Sequence, residues 1–159
     1  MSPVTTTSPA PRLGNPAVLV PGSVPAVQAV IKTIRDAGAP SALLELVHLR
    51  ASQINGCSAC VNFSWQGAQK EGGVDERLFM VSAWREATNF TDGERAALAL
   101  AEAMTRLADR ADPVPDPIWE ELERHYDEKT LASLVLWIAL TNLFNRVNVT
   151  TRQPPVVLS

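Results

Sequence analysis

The chain has 159 residues, of which 46% are hydrophobic and 19% are charged, and its formal net charge is -3 at pH 7. This length suits one globular domain, and the balance of apolar and charged residues excludes a chain that is disordered throughout. Because lysines and arginines are not clustered, we expect no nucleic-acid partner and no anionic-membrane surface.

The N-terminal segment, residues 1–22, contains five prolines and has no helical periodicity. This composition predicts an extended or disordered arm. The segment also lacks the basic start and apolar centre of a secretory signal peptide. The longest apolar run, LASLVLWIAL, is shorter than the roughly 20 residues that a membrane span needs. We therefore expect a cytoplasmic protein.

From residue 23 onward, apolar residues recur every three or four positions, with capping residues between the runs. The pattern predicts helices over 23–38, 41–54, 57–73, 75–84, 95–110, 117–126 and 129–149, the fifth of them preceded by the capping box TDGE. The last helix is apolar nearly all round, so we expect it in the core or between subunits. No run alternates with period two. The fold class predicted is all-α, a compact helical bundle over 23–150 with a loose tail at 151–159.

The chain's only two cysteines are Cys57 and Cys60, spaced Cys-x-x-Cys in the predicted first turn of the third helix. Unpaired backbone N–H groups and the helix dipole favour a thiolate at such a position. One sulfur can then attack a substrate while the other resolves the adduct as a disulfide. The pair therefore indicates dithiol redox chemistry.

Two other interpretations of the cysteine pair stay open. A structural zinc ion takes four ligands, and only His48 and His125 are available besides the cysteines, so a zinc site would be composite or shared between subunits. Free cysteines are also among the most buried residue types, so the two thiols are alternatively a packing element.

Three polar residues near the cysteines have both structural and functional interpretations. Glu45 lies in an otherwise apolar helix, either exposed and stabilised by the helix dipole or buried with a chemical role. His48 follows one turn later and is either packed or functional. Ser64 lies four residues after Cys60 on the same helix face, and its hydroxyl is no proton acceptor near neutral pH.

The segments ELVHLRASQINGCSAC, WREATNFTDGERAALALAEAMTRL and IALTNLFNRVNV resemble the alkyl hydroperoxidase D-like branch of the carboxymuconolactone decarboxylase superfamily. The resemblance covers about residues 40–150 and implies an all-helical fold that assembles as a homo-oligomer, a trimer or a hexamer. We expect no cofactor and no metal. The decarboxylase branch does not depend on this cysteine pair, so its retention argues against that branch.

In the peroxidase-active members that the chain resembles, the second cysteine attacks the hydroperoxide and the first resolves it, which implies these roles for Cys60 and Cys57. The resemblance gives Glu45 a place in the proton relay. The relay histidine of the family falls at Ser64, and a histidine that some members carry between the cysteines falls at Ala59. Either Glu45 then acts through water, or His48 replaces the lost imidazole from the neighbouring helix.

The sequence thus predicts a thiol-dependent, peroxidase-like enzyme whose partners are a hydroperoxide or another small electrophile and a dithiol reductant. The alternatives are a redox-sensing or structural assembly and a decarboxylase-like enzyme that does not use the cysteines.

Overall fold

The structure is a computed structural model that describes residues 9–70 and 75–155. This part of the chain contains helices and no strand, which confirms the all-α prediction. The helices are α1 Pro16–Leu19, α2 Ser23–Asp36, α3 Ser41–Ile54, α4 Ser58–Lys70, α5 Arg77–Met80, α6 Asp92–Thr105, α7 Asp116–His125 and α8 Glu128–Thr151, with a 3-10 turn at Val81–Ala83.

Most helix starts lie where the capping residues predicted them. At α6, the Thr91 side chain accepts from the backbone N–H of Glu94 and the Glu94 side chain accepts from that of Thr91, so the capping box is present. The predicted end of α6 at residue 110 is wrong. The chain leaves the helix at Arg106, with φ -110° and ψ 47°, and Asp109 lies in the left-handed region. The predicted end of the third helix at Gly72–Gly73 lies outside the described residues.

The described part of the N-terminal arm lies against the end of α8. The backbone N–H of Arg12 donates to the carbonyl oxygen of Thr151, and its guanidinium donates to that of Thr150. The Gln153 amide donates to the carbonyl of Leu13. Within the arm, Asn15 caps the short helix α1. The N-terminal arm and the residues that end α8 therefore contact each other.

Helix α3 occupies the centre of the bundle because two of its faces are buried in different clusters. One face packs against α6 and α8, and the other against the 3-10 turn and α6. The first cluster includes Leu43, Leu44, Val47, Ala97, Leu100, Leu134 and Ile138; the second includes Leu46, Leu49, Val81, Trp84, Phe90 and Leu98.

Helix α8 is long and apolar enough by composition to cross a bilayer, although the apolar run in its sequence is shorter. It packs instead as a core helix. Leu131, Leu134 and Ile138 are buried against α3 and α6, and the Trp137 indole N–H donates to the carbonyl of Leu44 at 2.9 Å. Leu136 and Leu143 on its other side are about half exposed.

A buried carboxylate joins α3, α6 and the turn before α6. Glu102 accepts hydrogen bonds from the Trp84 indole at 2.9 Å, from Arg50 at 2.7 Å and from Arg85 at 2.7 Å. Burial raises the pKa of Glu102, but these hydrogen bonds and the Arg50 charge outweigh it, so the pKa lies below its ordinary value. The group remains ionised at neutral pH and cross-links the bundle.

Candidate active site

The two cysteines lie at the N-terminus of α4, as the sequence predicted. Cys57 precedes the first residue of the helix, and its carbonyl accepts from the N–H of Val61. The sulfurs of Cys57 and Cys60 form a disulfide, with their Cα atoms 5.3 Å apart. The backbone N–H of Cys60 donates to Cys57 Sγ at 3.3 Å, so this sulfur occupies the capping position of the helix. Both residues are buried.

A tight turn carries the chain from α3 into this position. Gly56 has φ 65°, in the left-handed region that favours glycine. The N–H of Cys57 then donates to the carbonyl of Ser52, at 3.0 Å. The Asn55-Gly56 pair therefore ends α3, as predicted, and fixes where α4 begins.

Three asparagines of α8 face this turn: Asn142, Asn145 and Asn148. The side-chain amide of Asn55 donates to the side-chain oxygens of Asn142 and Asn145, each at 2.9 Å. Asn145 in turn donates to Ser52 Oγ at 3.1 Å. Because buried amides are costly without partners, these bonds hold the turn against α8.

Asn148 reaches the sulfurs themselves. Its Nδ2 atom lies 3.4 Å from Cys60 Sγ and 3.8 Å from Cys57 Sγ. Sequence reasoning missed this residue, because a helix that is apolar nearly all round predicts only packing in the core or between subunits. The available signal was a polar stripe, Asn at every third position over 142–148.

Glu45, His48 and Ser64 come together between α3 and α4. His48 Nδ1 lies 3.0 Å from Ser64 Oγ, within hydrogen-bond distance, and 3.8 Å from Glu45 Oε1. Ser64 is buried one helical turn after Cys60. The structure thus places an imidazole beside the serine that follows the cysteine pair.

One oxygen of the Glu45 carboxylate is enclosed beside this imidazole. This atom, Oε1, is buried and has no hydrogen-bond partner among the described residues. Burial raises the pKa of Glu45, but interactions with His48 and Ser64 and the charge of Arg35 outweigh it and hold the pKa below its ordinary value. The site therefore contains a partly buried negative charge beside the imidazole.

An exposed aromatic ring lies beside this imidazole. Phe63 on α4 packs edge-on against His48, with ring centroids 6.2 Å apart, and is 61% exposed. An apolar surface is therefore available to solvent next to the polar group.

The second histidine lies in a different environment. His125 on α7 contacts Glu121 at 3.0 Å and the ring of Tyr126. Within residues 9–70 and 75–155, no three His, Cys, Asp or Glu side chains are grouped as metal ligands. The residues that the structure brings together are Glu45, His48 and Ser64, with the cysteine pair one turn away from Ser64.

Comparison with known proteins finds a matching family and a relative of similar sequence. The profile of the carboxymuconolactone decarboxylase family matches residues 24–103. The chain is 35% identical over 105 residues to the uncharacterized protein YdfG of Bacillus subtilis, covering 66% of this chain and 70% of that one.

Solved structures share the fold. A protein of unknown function from Agrobacterium tumefaciens, named as a candidate antioxidant defence protein AhpD, is 30% identical and superposes with a TM-score of 0.83 over 94% of this chain and 100% of that one. The debrominase Bmp8 is 21% identical, with a TM-score of 0.73 over 85% of this chain and 71% of that one.

Proposed function

The chain is an AhpD-like member of the carboxymuconolactone decarboxylase family, and we propose that within this family it acts as a thiol-dependent peroxidase. One observation carries the proposal. Cys57 and Cys60 are joined at the start of α4, one turn before a serine that contacts the Glu45–His48 pair. A redox-active dithiol and a proton donor are thereby available in one site.

The first step of the proposed reaction oxidises Cys60. Its thiolate attacks the terminal oxygen of a hydroperoxide, the S–O bond forms and the O–O bond breaks. The leaving alkoxide takes a proton and departs as the alcohol, while Cys60 becomes a sulfenic acid. Two electrons have then passed from the sulfur to the peroxide.

The second step closes the disulfide. The Cys57 thiolate attacks the Cys60 sulfur, the S–S bond forms, and hydroxide leaves and is protonated to water. A cellular dithiol then reduces the disulfide by thiol–disulfide exchange, supplying two electrons and two protons and becoming a disulfide itself. This cycle needs a reducing compartment, and we propose the cytoplasm for it.

His48 is the proton donor in this proposal. A serine hydroxyl has no acidity or basicity near neutral pH, whereas an imidazole titrates in that range. The Glu45 carboxylate lies 3.8 Å from the ring, and the Ser64 hydroxyl, on the helix that begins at the cysteine pair, lies 3.0 Å from it. We assign Ser64 the role of holding the ring, and Glu45 the role of placing a negative charge beside it.

We also propose that the protein works as a homo-oligomer through α8. Leu136 and Leu143 are exposed on one side of this helix, two turns apart. Exposed large apolar residues at helical spacing suit packing against a second copy. Light scattering of the purified protein measures the mass, and a monomer would contradict the proposal.

Trapping of the sulfenic acid tests the proposed function. In a Cys57→Ser variant the second step is blocked, so treatment with an organic hydroperoxide and dimedone should label Cys60 alone, as seen by mass spectrometry. Absence of the label, with peroxide left unconsumed, would instead favour a redox-sensing or structural protein. A small-molecule turnover that persists in both single cysteine variants would favour a decarboxylase-like enzyme.

A further inference from the structure

The amide of Asn148 is a polar group at the disulfide that the proposed reaction does not yet use. It donates towards both sulfurs and lies nearer to Cys60, at 3.4 Å against 3.8 Å for Cys57. The residue is half-buried near the end of α8. Its carboxamide therefore contacts the atom that the peroxide reaction oxidises.

Neighbouring hydrogen bonds fix α8 on both sides of Asn148. Asn145 and Asn142, one and two turns earlier on α8, bind the Asn55 side chain of the turn before Cys57. After it, the backbone carbonyl of Asn148 accepts from the N–H of Gln153 at 2.9 Å, which closes the end of the helix. The part of α8 that carries this side chain is thus held against the turn before Cys57.

The two sulfurs differ in their nearest donor. Cys57 Sγ is the acceptor for the backbone N–H of Cys60 at the helix cap, so the helix terminus stabilises a charge on Cys57. Cys60 needs a donor of its own if it is to be the nucleophile. Among the described residues, the Asn148 side chain donates to that sulfur.

A carboxamide suits this task because it carries no charge and does not titrate. A hydrogen bond to an ionised acceptor is stronger than one to a neutral acceptor, so the N–H group stabilises a thiolate more than a thiol or a disulfide sulfur. The bond therefore lowers the thiol pKa and favours the reduced pair over the disulfide.

We infer that Asn148 is a catalytic residue that donates Nδ2–H to the Cys60 thiolate and directs nucleophilic attack to Cys60 instead of Cys57. The choice of Cys60 as the attacking sulfur rests on the proposed function. The effect on the thiolate itself does not, because it needs only the reduced cysteine and the amide.

The test measures the Cys60 thiol pKa from the pH dependence of its alkylation by iodoacetamide, in a Cys57→Ser background. Asn148→Leu keeps the size of the side chain and removes the donor, and it should raise this pKa by about one unit, the size of one charge-assisted bond. Asn148→Asp should raise it at least as far, because it brings a negative charge to the sulfur. Thr150→Ala, an exposed neighbour on α8, is the matched control and should leave the pKa unchanged.

A second readout uses both cysteines. In equilibrium with dithiothreitol, Asn148→Leu should shift the parent pair towards the disulfide by up to about tenfold, the equivalent of one pKa unit. An unchanged pKa and an unchanged equilibrium in a folded Asn148→Leu protein would overturn the inference. If Leu prevents folding, Asn148→Asp decides by the same two readouts. Shifted values in a protein that never reduces peroxide would leave the inference standing and refute the proposed function.

Discussion

His48 Nδ1 lies 3.0 Å from Ser64 Oγ, so an imidazole from α3 meets the serine that follows Cys60 by one turn of α4. The family that the sequence resembles has a histidine at the position of Ser64. This chain has a serine there, and His48 of the adjacent helix contacts that serine. A proton relay built on His48 is therefore geometrically available.

Replacing His48 tests this relay. General acid catalysis by a positioned side chain contributes about 10²- to 10⁴-fold, so His48→Leu should slow the oxidation of Cys60 by organic hydroperoxide at least about 100-fold. Stopped-flow measurement of the reduced protein gives the rate. His125→Leu is the matched control, because the second histidine also has a glutamate partner but lies on α7. Equal rates for His48→Leu and the parent would remove His48 from the mechanism.

Restoring an imidazole at position 64 is a complementary test. In the His48→Leu background, Ser64→His places an imidazole at the position where the resembled family has one. Leucine at position 48 ensures that no second imidazole contacts it. We expect this double variant to be oxidised at least about tenfold faster than His48→Leu, a gain within the range of acid–base catalysis. Ser64→Ala in the same background should not raise the rate of Cys60 oxidation. Failure of the histidine to improve on alanine would mean that the substrate is not a peroxide or that protons reach it by another route.

Much of the fold, but less of the site, could be predicted from the sequence. Capping boxes, glycine stops and helical periodicity are local signals, and α3, α4, α7 and α8 begin within two residues of their predicted starts. The end of α6 was missed because good helix formers continue to residue 110 while the backbone turns at Arg106. The contact of His48 with Ser64 depends on the angle between two helices, which periodicity does not encode.

Neutralising Glu45 should weaken the relay without removing its ring. Glu45→Gln keeps the shape of the side chain but removes the negative charge 3.8 Å from the imidazole, and we expect Cys60 oxidation to slow about tenfold at neutral pH. Because the pKa of Glu45 is depressed, the parent keeps this charge down to pH values below 4.5. The control is Glu121→Gln, which neutralises the partner of His125 on α7. An unchanged Glu45→Gln rate would show that the charge is irrelevant to proton transfer.

Removal of the buried charge on Glu102 should destabilise the bundle. Glu102→Gln leaves Arg50 without its anionic partner, and we expect a loss of about 3 kcal/mol in the free energy of unfolding, the lower end for a buried pair because Arg85 can turn to water. The folded pKa of Glu102 is depressed, so its contribution is full above pH 4.5 and is lost as the pH falls through the folded value.

Urea unfolding of parent and variant, at neutral pH and in steps below pH 4.5, measures this difference. The two stabilities should converge as the pH falls. Glu120→Gln, on the exposed side of α7, is the control and should match the parent at neutral pH. A gap between parent and Glu102→Gln that stays constant through the acid range would mean that packing, and not charge, is the source of the effect.

The most direct test of the proposed function is the reaction of the reduced protein with an organic hydroperoxide, followed by stopped flow in three proteins: parent, Cys57→Ser and Cys60→Ser. We predict that the parent forms the Cys57–Cys60 disulfide, that Cys57→Ser is oxidised at Cys60 but forms no disulfide, and that Cys60→Ser reacts no faster than a free thiol. Oxidation of Cys60→Ser as fast as the parent would contradict the assignment of Cys60 as the attacking sulfur.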